Sequence, residues 1–362
     1  MLRIGLILSS PSPHQVELLN AIARRNDVDA FVGYVKSHNP SRHWGRPTPD
    51  LPWENLPTHP LQICRGRLHQ WVARQTADVW LLSSVYTSPA TQLLARILKK
   101  HKQPFAFLGE PPQPKTGIRR VVQQALMMAV VRRADAVIGT GLETARRYRL
   151  WARPDQPVES VPYCVDVSRQ LSFPPLSPPE DNEPYRFVAS AQLIRRKGLD
   201  VLINACRRLP ETGWTLEIFG DGPLKDELQR QAEQTNRPVF FRGLVPYDRK
   251  DDVFRGRHCF VFSTRWDGWG MVLPEALAMG LPVITTDQAM SAHDFIRDGE
   301  NGHIGPAEDE QFLADAMKKA MAARKSLTEQ SVAAKKSLSA YTPENGADRM
   351  VGFLSSVAGK AA

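Results

Sequence analysis

Short apolar runs alternate with longer stretches in which apolar residues return every third or fourth position. In the first half the runs lie at 3–8, 30–34, 79–82, 105–108 and 136–139. Near-continuous apolar runs of this length read as strands buried on both faces. The helical patterns between them lie near 14–25, 89–99, 118–133 and 141–149. Residues 169–184 break the alternation: they hold five prolines and no periodicity, which reads as a linker. The pattern then restarts, with strands at 185–191, 215–220, 239–242, 259–262 and 282–285, and helices at 198–209, 223–235 and 272–279. Helical periodicity fills most of 310–357. Strand and helix in alternation imply parallel sheets covered on both faces. The expected organisation is an N-terminal domain over 1–168, a linker over 169–184, a second domain over 185–341 and a closing helix in 342–362. That helix is expected to pack back on the first domain. The fold class is α/β, two Rossmann-like doubly wound domains facing a cleft. In such sheets ligands bind outside the carboxyl ends of the strands.

Composition supports two cores: 362 residues, 42% hydrophobic and 23% charged. The apolar opening, Leu2 to Leu8, runs quickly into Pro11 and Pro13, so it reads as a buried strand, not a signal peptide. Four scattered cysteines, without a C-x-x-C pair, suit a reducing cytoplasm and give no zinc motif. The net charge of +9 is unevenly placed. Residues 1–168 carry 22 Lys and Arg against 12 Asp and Glu, whereas the remainder carries 25 against 26. A basic first half makes an anionic membrane surface a candidate partner, against the plainer reading of a soluble basic surface. Its candidate face is 118–133, with Arg119, Arg120, Met127 and Met128, and the candidate location is the cytoplasmic face of the cell membrane. Nucleic acid is not expected, since no stacking aromatics accompany Arg132-Arg133 or Arg146-Arg147. Asp27-Val28-Asp29 spells a metal-binding D-x-D but precedes a strand of the wrong kind of domain, so no metal and no cofactor are expected. The segment 36–60 is long and irregular, with Trp44, Trp53, His38, His43, His59, Arg42 and Arg46. It reads equally as an acceptor or membrane loop and as a surface excursion.

The chemistry concentrates in two stretches. In Trp266-Asp267-Gly268-Trp269-Gly270-Met271-Val272, a strand feeds a glycine loop that opens a helix, with Pro274 and Glu275 in its first turn. Backbone N–H groups near Gly270 and Met271 favour an anion or sugar oxygens. Asp267 and Glu275 are placed so that both can face one ligand. In Ser190-Ala191-Gln192-Leu193-Ile194-Arg195-Arg196-Lys197-Gly198, three cations precede a glycine at a helix start, which suits a pyrophosphate.

Together these resemble the family 4 glycosyltransferases. The first stretch resembles that family's E-x7-E segment, with Asp267 in place of the first Glu. The second resembles its G-R-L-x-x-x-K-G, with Lys197 matching the Lys and Gln192 standing where the Arg is. Gly220, in Gly220-Asp221-Gly222-Pro223, resembles the family's G-x-G turn, and 240–245 resembles its F-x-G-x-V element, with Gly243, Leu244 and Val245 near the base. Arg297-Asp298-Gly299-Glu300-Asn301-Gly302 resembles its D-G-x-N-G hairpin, and the preferred reading there is a plain structural turn. The resemblance covers 187–341 and is weak over 1–168. It implies the GT-B fold and retaining transfer of a hexose from a nucleoside diphosphate sugar to a glycan or lipid-linked acceptor. Synthesis of bacterial cell-surface polysaccharide, lipopolysaccharide or glycolipid would be the setting.

Carried over, Glu275 binds the ribose. Asp267, Gly268, Trp269, Gly270, Met271 and Val272 surround the sugar and diphosphate. Lys197, with Arg195 or Arg196, neutralises the diphosphate. On the acceptor side the family's Gly-Gly loop is replaced by Ser9-Ser10-Pro11, and Glu110 stands near the place of a His. Glu110 and His14 are the candidate residues there, each equally readable as an ordinary surface group. Two other functions remain open at this level: a nucleotide-sugar 2-epimerase, and a catalytically weak, membrane-bound nucleotide-sugar-binding protein.

Overall fold

The computed structural model describes residues 1–36, 47–59 and 66–359. His38, Arg42, His43, Trp44 and Arg46 of the irregular segment, and Cys64, lie outside them. The chain divides into two compact units: Met1–Asp166 with Tyr341–Ala362, and Val167–Ala340.

The first unit holds seven parallel strands: β1 (Leu2–Leu8), β2 (Val28–Tyr34), β3 (Trp53–Asn55), β4 (Val79–Ser83), β5 (Phe105–Gly109), β6 (Ala136–Gly139) and β7 (Val158–Ser160). Their order is β3-β2-β1-β4-β5-β6-β7. Side chains alternate across a strand, so β1 feeds two cores. Ile4, Leu6 and Leu8 join Leu19 and Ile22 of helix Pro13–Ala23. Ile7 joins Trp71, Trp80, Leu94 and Leu98 on the other face. The closing helix, Pro343–Gly359, buries Ala347, Met350, Val351 and Leu354 in the first of these cores.

The second unit has six parallel strands: β8 (Tyr185–Ser190), β9 (Trp214–Phe219), β10 (Val239–Gly243), β11 (Cys259–Phe262), β12 (Val283–Thr286) and β13 (Gly302–Gly305). Their order is β10-β9-β8-β11-β12-β13. Tyr185, Phe187 and Ala189 of β8 pack with Leu202, Trp214, Leu313 and Met317. In both units the first strand is central and the order reverses beside it, between β1 and β4 and between β8 and β11.

Both Rossmann-like units expected from the sequence are therefore present, with additions. β3, β7, β13 and helix Arg67–Arg74 have no counterpart in the apolar pattern. β3 is a short edge strand whose three residues are exposed, so it shows no apolar run, and it turns part of the irregular segment into sheet. The D-G-x-N-G stretch forms a turn, in which Gly299 N donates to Gly302 O at 2.9 Å, and leads into β13, which pairs parallel to β12. The proline-rich residues 169–184 are fastened to the second unit. Leu176 N donates to Ser331 Oγ at 2.9 Å, and Lys335 Nζ donates to Gln170 O at 2.9 Å and Ala278 O at 3.1 Å. Burial lowers the Lys335 pKa.

Candidate functional site

The loops that leave β8 and β11 are adjacent because those strands pair, and they are fastened by hydrogen bonds to backbone carbonyls. Arg265 N donates to Arg196 O at 2.9 Å, Thr264 Oγ1 to Arg196 O at 3.1 Å and Arg265 Nη1 to Arg195 O at 2.6 Å. Arg265 also grips Asp200 with both nitrogens at 2.7 Å. Gly198 allows this approach. Its φ is +65°, and a Cβ there would lie 2.0 Å from Ser263 O. Any side chain would push the loops apart.

This approach brings together residues 70 positions apart in the chain. Lys197 Nζ donates to Asp267 Oδ2 at 2.5 Å, and Arg196 Nη1 lies 3.5 Å from the same oxygen while donating to Trp266 O at 2.7 Å. The Phe262 ring lies 4.9 Å from the ammonium. Both side chains are mostly buried, 11% exposed for Lys197 and 16% for Asp267. Burial pushes the Asp267 pKa up, but the charge and hydrogen bond of Lys197, with Arg196 beside it, outweigh this and hold it below the ordinary value. Asp267 is thus ionised, and two cations share its charge. Its backbone is fixed from the β12 side, where Asp267 N donates to Gln288 O at 2.9 Å.

The glycine loop then wraps the carboxylate: Trp269 N donates to Asp267 Oδ1 at 3.3 Å. Gly268, Trp269 and Gly270 are buried, while Met271 and Val272 are half-buried. Helix Val272–Ala278 begins there, with Glu275 in its first turn. Glu275 Oε1 receives a hydrogen bond from Lys250 Nζ at 2.9 Å. The two acids of the D-x7-E stretch therefore have separate cations, Lys197 for Asp267 and Lys250 for Glu275.

The neighbouring strand ends continue the row. Gly220 N donates to Gly243 O at 2.8 Å, which joins the end of β9 to the end of β10. A Cβ on Gly220 would lie 1.9 Å from Ala191 O. Leu244 is exposed and Val245 half-buried; Gln192 and Arg195 are exposed at the end of β8. Gly243 to Val245, Gly220, Gln192 to Lys197 and Asp267 to Val272 thus follow the carboxyl ends of β10, β9, β8 and β11. The Lys197–Asp267 pair sits where the strand order reverses, the position at which doubly wound sheets bind ligands.

Glu110 and His14 belong to the first unit, Glu110 just after β5 and His14 in the first turn of helix Pro13–Ala23. Glu110 is exposed, and its carbonyl accepts from Tyr148 Oη at 2.8 Å. The Tyr163 hydroxyl meets Glu110 and Thr140; burial first, then the Glu110 charge, raise the Tyr163 pKa well above its ordinary value. The His14 ring lies 4.6 Å from Tyr163, with Nε2 3.3 Å from Ser12 Oγ. Tyr163 thus joins the two residues that the sequence singled out. Neither Tyr163 nor Lys250 was singled out by sequence reasoning. Lys250 sits in the charge-dense Asp248-Arg249-Lys250-Asp251-Asp252, which has no motif character, and only the tertiary structure links it to Glu275. Asp27 and Asp29 are engaged by Arg25 and Arg3. Among the described residues, no three His, Cys, Asp or Glu side chains gather into a metal-holding group.

Residues 176–337 match the family model described as glycosyl transferases group 1. A curated relative, the GtfA subunit of the UDP-N-acetylglucosamine–peptide N-acetylglucosaminyltransferase of Streptococcus gordonii, is 29% identical over 161 residues, covering 42% of this chain and 30% of that one. The matches span about a third or less of the length of such curated relatives. Among solved structures, Anabaena HepE in complex with UDP is similar with a TM-score of 0.76 and 16% identity, over 98% of this chain and 100% of that one. The lipopolysaccharide outer core galactosyltransferase WaaB is similar with a TM-score of 0.77 and 15% identity, over 98% and 99%. The fold is GT-B, built of two Rossmann-like units.

Proposed function

We propose that the protein is a glycosyltransferase that moves a hexose from a nucleoside diphosphate sugar to the hydroxyl of a glycan or lipid-linked acceptor, retaining anomeric configuration. The observation that carries this reading is the buried Lys197–Asp267 pair, with Arg196, at the reversal point of the second sheet. The match of residues 176–337 to glycosyl transferases group 1 supports it.

In the reaction the bond between the anomeric carbon and the diphosphate oxygen breaks. A bond to the acceptor oxygen forms, the acceptor's proton is released, and the nucleoside diphosphate leaves with added negative charge. Lys197 and Arg196 stabilise that charge, together with backbone N–H groups of the loop from Gly268 to Met271. Fixed donors aimed at developing charge are a major source of catalysis. Asp267 accepts from hydroxyls of the transferred sugar, and Glu275 accepts from the ribose diol. Glu110 and Tyr163, with His14, line the acceptor side. Because HepE was solved with UDP, a uridine nucleotide is the first donor to test. The setting is synthesis of a bacterial cell-surface polysaccharide or glycolipid.

A thermal-shift screen of nucleoside diphosphates and their sugars, followed by turnover with and without acceptor, tests the reading. Stabilisation by one nucleoside diphosphate and acceptor-dependent consumption of its sugar are expected. Conversion of the donor to its epimer without acceptor would replace transfer by 2-epimerisation. Stable binding without turnover would leave a binding protein.

A further inference from the structure

Helix Gly117–Val131 is apolar on two opposite faces. Met127, Val130 and Val131 are buried, so Met127 belongs to the core and not to the outward face proposed for it from the sequence. At 100° per residue, Ile118, Val121, Val122 and Ala125 form one stripe about half a turn away from these three. That stripe faces solvent: Ile118 is 75% exposed, Val121 60% and Val122 51%. A helix face of this kind marks an interaction site. Lys115 and Arg119 are exposed beside it, Arg120 lies about 150° around the helix on the side of Met127, and residues 111–134 contain no Asp or Glu.

We propose that this outward face docks on an anionic lipid surface. Ile118, Val121 and Val122 enter the boundary between head groups and acyl chains, and Lys115 and Arg119 engage lipid phosphates. Charge decides between occupants. A second copy of the chain would set these cations against their own equivalents, which is repulsive. The stripe spans about two turns, roughly 10 Å at 1.5 Å per residue, too short for the ~800 Å² per partner of a standard protein interface. A lipid surface needs neither a matching shape nor a large area. Among the described residues no helix is long and apolar enough to cross a membrane, so attachment through this face is peripheral.

The test is co-sedimentation of the full chain with phosphatidylcholine vesicles, with and without about 30 mol% phosphatidylglycerol, at low and high salt. Binding is expected only with the anionic lipid and should weaken with salt. Neutralising both cations in Lys115→Gln/Arg119→Gln should lower partitioning about 30-fold, from ~1 kcal/mol for each cation near the surface. Ile118→Ser/Val122→Ser should lower it at least tenfold without changing the melting temperature, because both side chains face solvent. Equal binding by the wild type and both variants would overturn the proposal, as would equal binding to neutral vesicles. No vesicle binding, together with self-association abolished by Ile118→Ser, would assign the face to a second copy. The assay reads binding and not sugar transfer, so its outcome is separate from that of the proposed activity.

Discussion

Replacing Asp267 by Asn separates the two contributions of the buried pair. The substitution removes one charge and keeps the side-chain volume. Lys197, 11% exposed, then faces a neutral amide. Breaking a buried pair from one side costs about 3–5 kcal/mol when the remaining charge is uncompensated. Here the amide oxygen still accepts a hydrogen bond, and the Phe262 ring 4.9 Å away supplies about 0.5–2 kcal/mol of cation–π attraction. The expected loss is therefore about 2–3 kcal/mol. At roughly 2–4 °C per kcal/mol for a unit of this size, the melting temperature should fall by about 4–12 °C. Binding of a nucleoside diphosphate should move the other way. In the proposed complex of the wild type the diphosphate would share Lys197 with Asp267 and lie near its negative charge. In Asp267→Asn that competition is gone. A charge-assisted hydrogen bond is worth about 1.5–3 kcal/mol, so affinity should rise tenfold or more, and ligand should restore much of the lost melting temperature. Turnover should nevertheless collapse, because the carboxylate proposed to hold the transferred sugar is lost. Scanning calorimetry, titration calorimetry with the free nucleoside diphosphate and donor turnover check the three parts. An unchanged melting temperature would mean that the pair does not form in solution. A fall in nucleotide affinity would refute the proposed division of roles.

Glu275→Gln should weaken nucleoside diphosphate binding by about 1.5–3 kcal/mol through the ribose, measured by titration calorimetry; undiminished affinity would remove Glu275 from the site. Gly198→Ala places a Cβ 2.0 Å from Ser263 O at φ +65°, so it should cost at least about 2 kcal/mol and lower turnover; a wild-type melt would contradict the fastening of the two loops. His258 is held neutral: burial first, then Arg186, lower its pKa to about 4, and its Nδ1 accepts from Arg186 N at 2.9 Å. Its stabilising contribution is full above the unfolded value of 6.5 and is lost as pH falls toward 4. The loss should reach about 2 kcal/mol, less than the roughly 3 that 1.36 kcal/mol per pH unit gives, because the ring keeps some solvent contact. Melts from pH 7 to pH 4 on the wild type and His258→Gln check this, and parallel curves would refute it. Turnover should survive EDTA; full loss on chelation with recovery on adding manganese or magnesium would establish a metal requirement.

The buried strands and the motif-bearing loops were legible in the sequence. A parallel strand covered on both faces must be largely apolar on both, so β1, β5, β6, β8 and β11 appear as near-continuous apolar runs near their observed bounds. The loops after β8 and β11 show glycines and charges at fixed offsets, because a tight approach to a ligand or a neighbouring loop needs those residue types. Strand order was not legible. Hydrophobic pattern reports burial, not which strand lies beside which, so only the tertiary structure sets β8 next to β11. That adjacency pairs Lys197 with Asp267, whereas Glu275 goes to Lys250 from a stretch without any motif. β3, β7 and β13 escaped the pattern because none is an apolar run: they read Trp-Glu-Asn, Val-Glu-Ser and Gly-His-Ile-Gly, and the residues of β3 are exposed. The prolines of 169–184 correctly excluded helix and strand there over most of its length. They could not report that Ser331, Arg324 and Lys335, some 150 residues later, would hold that segment's backbone against the second unit. Local chemistry chose the elements, and long-range hydrogen bonding and charge pairing, which depend on distance in space alone, chose the partners.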